Sequence, residues 1–254
     1  MDYAIETERL TKRFGGHTAV DSISLRVPRG SCYGFLGPNG AGKSTTINCL
    51  TGLLTPTAGS MRVLGFDALA HPDLVKRHVG VVPEGLALFD RLTGAETLAF
   101  VGSAHGLDGT TLGRRAGELL SLMELTPAAD SLVADYSHGM RKKLSLSAAL
   151  LPAPSLLFLD EPFEGVDPVA ARQIKALLAR FVAGGGTIFL TTHVLEIVER
   201  LCDHLGVIQR GTLVAQGAIA ELRGPCGSLE EAFMELVGGS PDSSADGAFD
   251  WLVR

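Results

Sequence analysis

The residues with the plainest chemical use are Gly37-Pro38-Asn39-Gly40-Ala41-Gly42-Lys43-Ser44-Thr45. Their spacing satisfies G-x-x-x-x-G-K-[ST], the loop that wraps a nucleoside triphosphate. Gly37, Gly40 and Gly42 read as positions where the backbone takes φ > 0 and comes close to phosphate oxygens. The N–H groups of the loop and of the helix after it then point at the anion. Lys43 reaches the β- and γ-phosphates, and Ser44 offers a hydroxyl to Mg2+. The flanks agree: Ser31–Leu36 reads as a short buried strand, and Ser44–Thr51 as the start of a helix.

A second group lies far along the chain. Leu156-Leu157-Phe158-Leu159 is an apolar strand ending in Asp160 and Glu161. Strands of α/β folds deliver polar residues at their C-terminal ends, where ligands bind. Asp160 is placed to hold Mg2+ through water, and Glu161 to polarise an attacking water as general base. Thr191-Thr192-His193 ends another apolar strand. An imidazole there can reach a γ-phosphate and the attacking water. Alone it would read as structural, and its weight comes from the other groups.

The elements that must position these residues follow from pattern. Strands are expected at Tyr3–Leu10, Ile23–Val27, Ser31–Leu36, Met61–Leu64 and Val79–Val82, separated by Gly, Pro and Asp signals. From Thr93 to about Leu151 the period turns helical. Thr93 caps a helix to about His105, a second covers about Thr111–Leu125, and a third begins at Ser137. Strands at Leu156–Leu159, Thr187–Thr191 and Leu205–Gln209 alternate with helices at about Pro168–Val182 and His193–Leu201. That alternation implies a parallel sheet flanked by helices. Gly184-Gly185-Gly186 closes the helix before it, and Arg210-Gly211 reads as a hairpin turn. The expectation is an α/β, P-loop NTPase core with a mostly parallel sheet. It carries an N-terminal antiparallel β-subdomain and an inserted α-helical subdomain at about 88–152. One domain spans 1–237, and the Gly/Ser/Asp-rich 238–254 reads as a flexible tail.

Composition narrows the function. The chain has 254 residues and a net charge of −6, which argues against a broad nucleic-acid-binding face. The basic run Arg141-Lys142-Lys143 lies in a helical pattern and reads as a solvated helix face. Cys32, Cys49, Cys202 and Cys226 are not spaced like a metal clip, and no secretory pattern precedes them, so free thiols in a reducing cytoplasm are expected. No apolar run reaches the roughly 18 residues that crossing a bilayer requires.

Tyr136-Ser137-His138-Gly139-Met140-Arg141, shortly before the carboxylate strand, resembles the L-S-G-G-Q signature of ATP-binding cassette (ABC) ATPases. The family order is phosphate loop, glutamine loop, signature, carboxylate strand, D-loop and switch histidine, and each has a counterpart here in that order. Leu159-Asp-Glu-Pro-Phe-Glu-Gly-Val-Asp-Pro168 resembles the bacterial ABC-2-type exporter ATPases in particular. The resemblance covers about Tyr3–Gly217. It implies that Phe14 stacks on adenine. It also implies that Ser137 and Gly139 meet the γ-phosphate held by a second copy of the chain. Asp167 matches the D-loop aspartate and, before Pro168, also suits a helix N-cap. His193 matches the switch histidine. The signature departs from the pattern at Tyr136, His138 and Met140, and the expected glutamine is Glu84, a carboxylate that can still ligate Mg2+. The resemblance implies an ATPase using ATP and Mg2+, working as a homodimer on a separate integral membrane permease. It would be cytoplasmic and peripheral on the inner face of the cell membrane, with no nucleic acid partner. The alternative is a soluble ABC-type ATPase acting in assembly or nucleic-acid processing.

Overall fold

The structure is a computed structural model and describes residues 2–223 and 228–237. The expected tail at 238–254 and Cys226 lie outside the described residues. The strands are β1 (Tyr3–Phe14), β2 (His17–Ile23), β3 (Arg26–Pro28), β4 (Cys32–Leu36), β5 (Ala58–Val63), β6 (Phe66–Asp67), β7 (Val79–Val82), β8 (Leu156–Asp160), β9 (Thr187–Thr192), β10 (His204–Gln209) and β11 (Thr212–Ala218). The helices are α1 (Lys43–Leu50), α2 (Pro72–His78), α3 (Gly94–Ala104), α4 (Gly109–Leu122), α5 (His138–Leu150), α6 (Pro168–Ala183), α7 (Leu195–Leu201), α8 (Ile219–Arg223) and α9 (Leu229–Val237).

A six-stranded sheet runs β11-β10-β4-β9-β8-β7, parallel throughout except for the β10–β11 hairpin. A second, antiparallel sheet is ordered β2-β1-β5-β6, with β3 on the other half of β1. The register of the central strands places the functional ends side by side. Leu36 pairs with Thr192, and Asp160 with Thr191. The phosphate loop, the carboxylates and His193 therefore follow the C-terminal ends of three adjacent parallel strands.

Alternation along β8 explains the layering. Leu156 and Phe158 face the antiparallel sheet in one core with Ile5, Leu10, Val27 and Met61. Leu157 and Leu159 face the helices in a second core with Leu98, Leu144, Ile174 and Leu178. A period of two sends successive side chains to opposite faces. Burying each such side chain stabilises by about 1.5–3 kcal/mol. Phe189 on β9 sits among Tyr33, Phe35 and Phe158, with ring centroids 5.7, 5.3 and 5.8 Å away. At Gly80 on β7 a methyl group would run into the Ala149 carbonyl, so glycine lets α5 lie directly on the sheet.

Several expectations are corrected. The expected strand Ile23–Val27 is divided between β2 and β3, which pair with different halves of β1. Near the division, Arg9 in β1 and Ser22 in β2 take left-handed φ values of 49° and 52°. The helix expected at Thr111–Leu125 starts earlier, because Asp108 caps it by accepting from Thr111 N at 2.9 Å, and it ends at Leu122. Helix α2, entered through Pro72, was not among the expected elements. The basic run is not a solvated face: Lys142 and Lys143 are 3% and 9% exposed, because this side of α5 packs on the chain between β8 and α6. Cys32, Cys49 and Cys202 are free thiols, as composition implied.

Candidate functional site

The phosphate loop links β4 to α1. Gly40 and Gly42 take φ of 77° and 106°, as expected of glycines that turn amides inward. Gly37 differs: it is not left-handed, and its glycine is required because a methyl group would collide with the Ile208 carbonyl. Ala41 N donates to the Pro38 carbonyl at 3.1 Å, closing the loop on itself. Gly42 is the N-cap of α1 with no side-chain cap, which leaves the helix N-terminal amides directed into the loop.

Lys43 crosses the loop. Its ammonium donates to the Gly37 carbonyl at 2.8 Å and to the Pro38 carbonyl at 3.3 Å, and lies 3.2 Å from Glu161 Oε1. His193 Nδ1 lies 3.1 Å from the same oxygen. Glu161 is buried, so its carboxylate is held between a cation and an imidazole, and Oε2 takes no hydrogen bond among the described residues. Asp160 Oδ1 accepts from the Thr191 hydroxyl, which orients the neighbouring carboxylate.

A cavity of about 530 Å3 gathers much of the expected set. Phe14, Asn39, Gly40, Gly42, Lys43, Ser44, Thr45, Glu84 and Glu161 all line it. Phe14 is 47% exposed, and Lys12 Nζ lies 4.9 Å from its ring centroid. A half-open aromatic face at a cavity mouth suits stacking on a base. Ser44, Asp160 and Glu84 are hard oxygen donors of the kind Mg2+ takes. Ser137, Gly139 and Asp167 are not brought into this cavity. They form a second cluster, where the Ser137 hydroxyl accepts from Met140 N at 3.2 Å and caps α5. Asp167 Oδ1 accepts from Val169 N and Ala170 N, both at 2.9 Å, and caps α6. Those amides, Ala170's first, hold the Asp167 carboxyl below the usual carboxylate range. A methyl group at Gly139 would come within 3.1 Å of Asp167 Oδ2, so the first turn of α5 lies against the cap of α6.

The departures in the signature have physical reasons. The Tyr136 ring is buried and its hydroxyl donates to the Ala128 carbonyl at 2.7 Å, tying α5 to the loop after α4. Met140 packs into the helical core. His138 Nε2 lies 3.2 Å from the Glu164 carbonyl. Three cavity-lining residues were missed at the level of sequence, His17, Ala19 and Glu164. His17 pairs with Phe14 across the two-residue turn Gly15-Gly16, and a glycine pair between two strand patterns is the signal that would have revealed it.

The chain is similar in sequence and in fold to known proteins. The sequence profile of the family described as ABC transporter matches residues 20–164. A daunorubicin/doxorubicin resistance ATP-binding protein of Streptomyces peucetius is 42% identical over 225 residues, covering 89% of this chain and 68% of that protein. Nod factor export ATP-binding protein I of Ralstonia nicotianae is 42% identical over 218 residues, covering 86% of this chain and 68% of its own. A solved ATP-binding subunit of an ABC transporter superposes with a TM-score of 0.85 at 32% identity, covering 92% of this chain and 99% of that one.

Proposed function

The chain belongs to the ABC transporter family, and on that premise we propose that it binds and hydrolyses ATP to drive export through a separate membrane-spanning permease. The observation that carries the ATPase reading is the Glu161 carboxylate, buried at the phosphate loop between Lys43 and His193. Loop amides and Lys43 take the phosphates, and Phe14 takes the base. Glu161 accepts the proton of the attacking water, and His193 aligns that water with the γ-phosphate. Ser44 and Glu84, which line the cavity, and Asp160 at the end of β8 would hold Mg2+, which would neutralise charge on the phosphates.

Two copies would sandwich two ATP molecules. Each site would take its loop from one copy and the Ser137 end of α5 from the other. Ser137, Gly139 and Asp167 support this, since they lie together outside the cavity yet present a helix N-terminus. Segment 88–152 is then the inserted helical part of one domain spanning 1–237.

Among the described residues no helix is long and apolar enough to cross a membrane. The permease contact is read from a second cavity of about 410 Å3, between β7, α3 and α5, lined by Leu86, Leu88, Val101 and Ala149. Leu53 and Phe89 at its rim are 66% and 53% exposed, and Phe89 meets Phe100 edge-on at 5.3 Å. A short cytoplasmic helix of the permease, presenting apolar side chains, fits such a groove. The subunit would then lie on the cytoplasmic face of the membrane.

Fractionation tests the reading. The chain is expected to sediment with membranes only when its permease is co-expressed, and persistent solubility beside the permease would favour the soluble ABC alternative. Phe89→Asp is expected to leave hydrolysis by the isolated subunit unchanged and to weaken its permease binding about 30-fold, the effect of losing roughly 2 kcal/mol at an interface anchor. Titration of hydrolysis against Mg2+ checks Glu84. Glu84→Ala is expected to raise the Mg2+ concentration for half-maximal rate, while Glu84→Gln leaves it near that of the unmodified protein, because an amide oxygen also coordinates hard cations. A Glu84→Ala curve identical to that of the unmodified chain would remove this residue from the metal site.

A further inference from the structure

Lys142 takes no part in the steps above, yet its ammonium is buried at the centre of the site's scaffold. It donates to the main-chain carbonyl of Glu161 at 2.9 Å. One turn earlier on α5, His138 Nε2 lies 3.2 Å from the carbonyl of Glu164. A carbonyl only accepts, so Nε2 carries the proton in this contact. Residues four apart share one face of a helix. A single face of α5 thus grips both ends of the segment that runs from the proposed base toward Asp167.

That segment needs holding. Glu161 has φ of 46°, a left-handed conformation that is strained for a non-glycine residue. Such a conformation persists where its surroundings over-determine it. The Glu161 amide is bound on the β9 side, to the Thr191 carbonyl at 3.2 Å, and its carbonyl is bound on the α5 side by Lys142. Gly165 has φ of 66°, and a methyl group there would come within 3.1 Å of His138 Nε2, so the turn closes directly on the imidazole. Burial pushes the Lys142 ammonium below its usual range, and the nearby carboxylates of Glu164, Glu84, Asp160 and Glu161 oppose that.

We propose that Lys142 and His138 are positioning residues: through two backbone carbonyls they clamp the segment 161–164 to α5, and so aim the Glu161 carboxylate. The consequence in the assembly rests on the two-subunit reading above. The N-terminus of α5 meets the ATP of the partner subunit, while its inner face holds the base of its own site. Seating α5 on the partner's γ-phosphate therefore steadies Glu161 on its own chain, and one site's occupancy is passed to the other through one helix.

The test compares Lys142→Met, Lys142→Gln, His138→Ala and His138→Gln in the full chain, alone and with the permease. Displacing a catalytic group by about 1 Å costs on the order of 10²-fold in rate. Lys142→Met, which keeps the volume and loses the donor, is expected to lower kcat by roughly 10–100-fold at a KM for ATP within about twofold of the unmodified chain. Lys142→Gln and His138→Gln keep a donor and are expected to recover most of the rate that Lys142→Met and His138→Ala lose. A purely structural role would lower melting temperature and yield while sparing kcat per folded molecule. Unmodified kcat in both Lys142→Met and His138→Ala, or losses confined to KM, would overturn the clamp. Should Lys142→Met fail to fold, the His138→Ala and His138→Gln pair decides on the same criterion. ATP-driven dimerisation of Glu161→Gln, with Lys142 and His138 intact, separates the two ideas. If that variant stays monomeric the two-subunit reading falls and takes the proposed communication with it. If it dimerises while the clamp variants keep full kcat, only the clamp is wrong.

Discussion

Glu161→Gln is expected to bind ATP and to hydrolyse it roughly 10²–10⁴-fold more slowly, the span that general-base catalysis contributes. The amide keeps the shape of the carboxylate. It can still accept from Lys43 and His193, which now meet Glu161 Oε1 at 3.2 and 3.1 Å. What it loses is the capacity to take a proton from water. Binding should survive because the loop amides and Lys43 are untouched. ATP trapped without turnover should then hold two copies together, visible as a stable dimer by gel filtration with ATP and Mg2+. Single-turnover assays with radiolabelled ATP check the chemical step directly. An unchanged rate would remove Glu161 from the proposed mechanism, and His193 with it as a partner of that base.

The second large effect concerns two lesions that should each silence the protein and yet repair one another. Lys43→Ala removes the cation that lies against the loop carbonyls, so a homodimer of it has neither loop intact. Ser137→Arg removes the cap of α5 and sets a long cation over the helix N-terminus, so its homodimer has neither signature intact. Each is expected to lose at least roughly 10²-fold in activity, as the removal of a single preorganised electrostatic donor does. Mixing them forms heterodimers in which one site has a sound loop facing a sound helix end, while the other site carries both lesions. Partial recovery of ATPase activity is the expected result, with the permease present if the isolated subunit is silent. With subunit exchange verified, a mixture that stays at the level of the separate variants at every ratio contradicts independent composite sites. Cysteines placed at Ala41 and Ser137 then decide the arrangement. A crosslink between chains that requires ATP supports it, and a crosslink confined to one chain sinks it.

The legibility of these features differs by cause. The phosphate loop and Asp160-Glu161 are readable because chemistry restricts the residue types and the flanking strands are uniformly apolar. Alternation of strands and helices implied the parallel sheet, but not that the strand carrying His193 lies between the other two. The caps at Ser137 and Asp167 were readable, but the nucleotide-site roles proposed for Ser137, Gly139 and Asp167 came only through family resemblance, since the proposed ligand of that cluster belongs to another copy and leaves no local trace. Lys142 was misread for a related reason. Its partner, the Glu161 carbonyl, is 19 positions away, and a backbone acceptor has no signature in a string of residue names. Gly37 shows the same limit. Its glycine is demanded by the Ile208 carbonyl on β10, not by its own dihedral angle. The break between β2 and β3 lies near left-handed residues at Arg9 and Ser22, types that give no warning of it.

The alignment of β4, β9 and β8 also bears on how such a protein can diverge. Leu36 is paired with Thr192, and Thr191 with Asp160, through main-chain bonds that are indifferent to the side chains they carry. The separation of loop, base and imidazole is therefore inherited from the pitch of a sheet, about 4.8 Å from strand to strand, and not from the surrounding sequence. Mutations can accumulate over the helices and the outer sheet while the reacting groups keep their spacing, provided both cores stay filled. The superposition at TM-score 0.85 with only 32% of residues shared is what that insulation permits. A lineage built this way can exchange the surfaces it offers to other molecules without renegotiating its chemistry.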